Sequence, residues 1–204
     1  MRITGPKRTM SGWLWKGSLA FAAISVASTL AVGQDTILRL DPQHTTVQYD
    51  LSDVLHAVHG TFQLKQGTLQ LNSASGELSG EIVVDAKSGE SGTAMRDRKM
   101  HREVLESGRY PEITFRPDHI DGVVAPEGKS SVQVHGIFSI HGADHELTAP
   151  AEVEMTSDHW SATVHFSLPY VKWGMKNPSN LFLRVSSSVD IVLTASGSRS
   201  VAKP

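Results

Sequence analysis

The chain has 204 residues, 39% hydrophobic and 20% charged but only 6% aromatic, which suits one domain with a sizeable core and excludes a disordered chain. Its net charge of −2 hides an asymmetry: Arg2, Lys7, Arg8 and Lys16 are the only charges in residues 1–33, and without these four cations 15 basic residues face 21 acidic ones. An acidic body lacks the basic face that displaces phosphate counterions, which argues against nucleic-acid binding, and the absence of cysteine excludes disulfides, thiolate metal sites and cysteine nucleophiles.

The four cations precede an apolar, small-residue stretch from Leu19 to Val32. A charged start, a short apolar run and small residues at its end make a secretory signal peptide over residues 1–33. Ala31-Val32-Gly33 places the cut before Gln34. The 14 residues of the run fall short of the ~20 that a helix needs to span a bilayer, so a cleaved leader is preferred to an anchor. The expected location is the periplasm or the medium.

From there the sequence alternates. Thr45, Val47, Tyr49 and Leu51 form one apolar stripe, and Val132, Val134, Gly136, Phe138 and Ile140 a second. Trp160, Ala162, Val164, Phe166 and Leu168 form a third, interleaved with Ser161, Thr163, His165 and Ser167. Val185, Val189, Ile191 and Leu193 form a fourth. A period of two puts each stripe on one sheet face, the mark of half-buried antiparallel strands. Further strands are expected near 36–40, 60–71, 76–86, 112–120 and 146–156, about eight to nine in all. Turn signals separate them, among them Asn72-Ser73, Asp121-Gly122 and His141-Gly142. Long strands with one apolar face and tight hairpins suit a closed barrel or a sandwich.

Met95–Glu106 breaks the period. Met100, Val104 and Leu105 share a helical face there, and Lys99/Glu103 and Arg102/Glu106 have i,i+4 spacing. Gly108 and Pro111 would end the helix. Residues 197–204 read as a disordered tail.

Catalytic patterns are weak. The chain holds ten histidines, but His56 and His59 on a strand point to opposite faces. His135 and His165 fall on polar faces. A carboxylate–histidine site around His141, Asp144 and His145 is the best metal candidate, against a prevailing reading of surface histidines. No nucleophile elbow or phosphate loop is present, and Glu152 and Glu154 read as exposed acids on one strand face.

Five short motifs in order point to a family. They are Asp41-Pro42-x-His44, Gly60-Thr61-Phe62, Arg96-Asp97 with Met100, Tyr110-Pro111-Glu112-Ile113-Thr114-Phe115, and Gly136-x-Phe138-x-Ile140-His141-Gly142. From about Leu38 to Ala195 the chain resembles the YceI-like family of polyisoprenoid-binding or lipid-binding periplasmic proteins. It departs at Lys87–Thr93 and at His145, where the family pattern has a lysine, and Tyr170-Val171-Lys172-Trp173-Gly174 matches only loosely.

The resemblance implies an all-β fold, an eight-stranded antiparallel lipocalin-like barrel with a short helical insert, spanning 34–196. It implies a non-enzymatic protein without cofactor or metal that binds or transports a long isoprenoid, a quinone-like lipid or a similar amphiphile in its lumen. An eight-stranded barrel has room for side chains or one slim ligand. The inward-facing candidates are Tyr49, Phe62, Ile82, Phe115, Phe138, Phe166, Leu168 and Val189, with Met100, Val104 and Leu105 closing the mouth. A carrier of this kind is expected to touch a membrane transiently, and a homodimer is compatible with it. The alternatives are a stress-related interaction protein without ligand and, more remotely, a histidine-based metal hydrolase.

Overall fold

The alternating stripes become nine strands: β1 (Asp35–Leu40), β2 (Thr46–Ser52), β3 (Ala57–Asn72), β4 (Leu78–Glu90), β5 (Glu112–Asp121), β6 (Gly128–Ile140), β7 (Ala143–Met155), β8 (His159–Leu168) and β9 (Val189–Val201). The computed structural model describes residues 1, 5, 35–52, 57–179 and 184–202. Two units are distinguished, Met1–Leu30 and Ala31–Pro204, and the barrel is the second. The expected leader lies outside the described residues except for Met1 and Gly5, as does His56.

Every ladder is antiparallel and follows chain order from β2 to β9, and β9 returns to β2. The ring of eight strands therefore closes as an up-and-down barrel. The ninth strand does not widen it. β1 pairs with the far ends of β3 and β9, the two strands that also flank β2, so β1 and β2 share one position as a single interrupted strand. Asp41-Pro42-Gln43-His44 makes the interruption. Pro42 has no N–H to donate to a ladder, and the Asp41 carboxylate accepts from Gln43 N–H at 2.9 Å and meets His44 Nδ1 at 2.8 Å. The His44 contact, then the Gln43 N–H, hold the Asp41 carboxyl below the usual carboxylate range.

Three expectations need correction. Residues 197–201 are not a loose tail: they extend β9 and pair with β1 from Thr36 to Leu40. Backbone pairing there closes the ring, and it is blind to the small polar side chains of Ser196, Ser198 and Ser200. The fourth stripe starts at Val189 rather than Val185. Val185 and the two serines after it give their backbone carbonyls to the preceding segment over 169–178 instead, Val185 O to the Asn177 side chain, Ser186 O to Tyr170 Oη and Ser187 O to Val171 N–H. The helical insert is α1 (Ala94–Lys99) followed by a π-helical turn over Met100–Val104. The wider turn changes which side chains are neighbours. Lys99 and Glu103 do not pair; Glu103 binds Arg102 and Lys176, and Lys99 reaches Pro178 O.

The inward faces of the strands make one core, including Leu38, Leu69, Leu71, Val132, Ala151 and Ala195. Each large aliphatic side chain buried this way contributes ~1.5–3 kcal/mol relative to exposure.

Candidate functional site

The core does not fill the ring. Two apolar chambers of about 130 and about 190 Å³ lie end to end in the lumen. Val47, Val84, Ile113 and Phe138 line both, and so mark where they meet. The smaller, inner chamber reaches Leu71, Met155 and Trp160. The larger, outer chamber opens at the end covered by α1 and the π turn.

All eleven sequence-derived lumen candidates border this cavity. Ile82, Phe115 and Phe166 line the inner chamber, and Phe138 lines both. Tyr49, Phe62, Leu168 and Val189 line the outer chamber from the strands. Met100, Val104 and Leu105 line it from the helical insert. Two glycines let the aromatic residues take these places. Gly60 pairs with Tyr49, and a Cβ there would sit 2.3 Å from the Tyr49 ring. A Cβ at Gly89 would sit 2.4 Å from the Phe62 ring. Phe62 in turn lies 5.4 Å from Tyr49, ring centre to ring centre.

Among the described residues, the charged side chains that border the lumen lie at the mouth. Arg96 and Lys99 border the outer chamber together with Tyr170, Met175 and Pro178 of a strap over 169–178. Lys99 Nζ donates to Pro178 O at 2.8 Å, and Lys176 Nζ meets Glu103 at 3.1 Å, so two contacts join the strap to the insert. Burial, and secondarily the Asp97 carboxylate, push the Tyr49 phenol up; burial alone raises Tyr170, whose hydroxyl donates to Ser186 O at 2.6 Å. Both phenols therefore stay neutral through physiological pH.

Sequence reasoning missed these mouth residues. Arg96 precedes Met100 by one helical turn, a spacing that places the two on one face. Tyr170 and Met175 lie in a segment without period, and nothing in their spacing points to the cavity.

The proposed histidine–carboxylate group is not brought together. Asp144 contacts Arg116 and Ser139, while its neighbour His145 pairs with Phe138 across β6–β7 and so turns to the other sheet face. His145 stacks flat on Trp173 at 4.1 Å. His141 instead meets Glu106 at 3.6 Å and the Tyr110 ring at 4.9 Å. A serine–histidine contact does exist, with Ser107 Oγ 3.0 Å from His101 Nδ1 and His101 Nε2 2.8 Å from Gly89 O. Ser107 is buried, neither residue lines a chamber, and the pair ties the insert to β4. Among the described residues, no three histidine or acidic side chains converge on one point that would hold a metal ion.

The chain's fold is similar to several solved structures. BcnA of Burkholderia cenocepacia matches with a TM-score of 0.65 at 15% identity, over 78% of this chain and 99% of that one. A polyisoprenoid-binding domain from Saccharophagus degradans, implicated in plant cell wall breakdown, matches with a TM-score of 0.61 at 15% identity, over 80% and 98%. The YceI protein of Campylobacter jejuni matches with a TM-score of 0.57 at 14% identity, over 74% and 88%. A comparison with curated proteins finds no match. The family model for the YceI-like domain matches residues 38–196, nearly the whole barrel, and the chain belongs to the YceI-like family.

Proposed function

We propose that the protein binds and carries a long isoprenoid or similar amphiphilic lipid in the lumen, without transforming it. The observation that carries this reading is the pair of adjoining chambers, walled almost wholly by apolar side chains and, among the described residues, bordered by cations at the mouth alone. Their volumes suit a slim, linear occupant better than a bulky one. Met100 at the mouth adapts its shape to what passes. The family and the polyisoprenoid-binding neighbour support the same class of ligand; a quinone-type tail belongs to it. The leader expected from the sequence over residues 1–33 supports a carrier that works in the periplasm or outside the cell and is loaded by transient membrane contact.

Gentle purification followed by native mass spectrometry and lipid extraction tests the reading. One long-chain lipid per barrel is expected. A barrel that purifies empty and takes up no added isoprenoid contradicts it, and favours an interaction protein.

A further inference from the structure

Among the described residues that line the inner chamber, two carry a buried polar side-chain atom without a hydrogen-bond partner, Trp160 and Thr114. Trp160 pairs with Met155 on β7 and Gly197 on β9. It shares a strand face with Ala162 and Val164, and all three line the inner chamber. Its side chain therefore points into the barrel. Trp160 is 6% exposed, and its Nε1–H has no hydrogen-bond partner among the described residues. An indole nitrogen only donates, and an unmet buried donor is destabilising.

The chamber wall offers it nothing. Every other lining side chain is apolar except Thr114. Thr114 alternates with Ile113 and Phe115 along β5, and its own hydroxyl is buried without a partner, so it does not serve as the acceptor for Trp160 Nε1–H. Among the described residues no charged side chain lines this chamber, and an unpaired ion there would be prohibitively costly to bury. The geometry favours a ligand that supplies the acceptor and is neutral where it does so.

We infer that the end of the ligand reaching the inner chamber carries an uncharged oxygen acceptor, a carbonyl, hydroxyl or ether, and that Trp160 Nε1–H donates to it. The inference rests on the carrier reading and deepens it. A plain hydrocarbon terminus leaves the donor unanswered. Two sources share the required chemistry: a quinone ring that enters first, and an isoprenoid chain oxygenated at its far end.

Calorimetric titration with three probes tests this: phytane, a methyl ketone of matched chain length, and a benzoquinone with a short prenyl tail. The protein should bind at least one oxygenated probe about three- to tenfold more tightly than phytane, the factor one hydrogen bond supports. Which oxygenated probe gains identifies the source. Trp160→Phe should erase that gain while changing phytane affinity less than about twofold. If Trp160→Phe does not fold, the indole N–H proton resonance of Trp160 in the unaltered protein decides, moving downfield with the favoured oxygenated probe and not with phytane. Equal affinities for all three probes, or equal losses for all three in Trp160→Phe, would overturn the inference and leave the carrier reading standing. Failure to bind any of the three contradicts both.

Discussion

The inner chamber is walled by strand residues apart from Val124, whereas the outer chamber also needs α1, the π turn and the 169–178 strap. The first is held by ladders on every side and by a period-two pattern. The second depends on contacts between segments far apart in sequence, such as Lys99 to Pro178 O and Lys176 to Glu103. The ladder between β7 and β8 also stops short of this end, running only from Met155/Trp160 to Ala151/Val164. Beyond it, Trp173 packs on His145 and lies 5.8 Å from Phe138, which lies 5.9 Å from Phe166. The difference assigns two tasks. On the proposed carrier reading, the inner wall would set what fits and the outer cover how fast it enters and leaves.

The largest effect is expected from a charge in the inner wall. Val164 lines that chamber, while its neighbour His165 is exposed on the opposite face. Val164→Asp should cost several kcal/mol, a large part of the ~5–15 kcal/mol that stabilises a domain. His165→Asp should shift stability by under about 1 kcal/mol. Urea denaturation of both variants checks the contrast, and equal losses would mean the two faces are not distinct.

A milder change should reshape the inner chamber without unfolding the barrel. Ala162 is 9% exposed and lines it. Ala162→Trp should cost ~1–3 kcal/mol through overpacking and shorten the longest chain accepted. Titration with isoprenoids of graded length reads this out; an unchanged length limit would place the ligand elsewhere.

The outer cover should respond in rate rather than stability. Lys176→Ala removes the partly exposed pair with Glu103 and should speed ligand release by about two- to fivefold, the scale of a screened ion pair. Stopped-flow displacement measures it, and the melting temperature should barely move.

The smallest effect is a pH dependence of that same contact. Hydrogen bonds from Arg102, then Lys176, hold the Glu103 carboxyl below its ordinary value of 4.5. A lowered carboxylate pKa gives a contact that is intact above the unfolded value and lost as pH falls through the folded one. Release should therefore be flat from neutral pH downward and quicken only below that ordinary value. In Lys176→Ala the same acid step should shrink, and an unchanged step would assign it to another group.

The same contrast explains what could be read in advance. The barrel wall was legible because alternation in segments such as Trp160–Leu168 repeats at a local period. The helical face of Met100, Val104 and Leu105 was legible for the same reason. The strap was not, since Tyr170, Trp173 and Met175 follow no period and find their places through distant partners. Nor were the ends of the ladders: Ser198 and Arg199 pair with β1 through backbone atoms alone, and the serines of 186–188 show no sign that the sheet has not yet begun. Trp160 was legible as an inward residue, but its lack of an acceptor is a property of the whole chamber.

The most direct test of the account is affinity as a function of ligand chain length at low and high salt. Each buried methylene contributes ~0.8 kcal/mol before costs, and net gains fall to about 0.3 kcal/mol per heavy atom for larger ligands, so a chain of ~40 carbons approaches nanomolar affinity. The account predicts affinity that rises with length until the lumen is filled, and that changes little with salt because the attraction is apolar. Affinity that is flat with length, or that collapses at moderate salt, would contradict a ligand seated in the barrel.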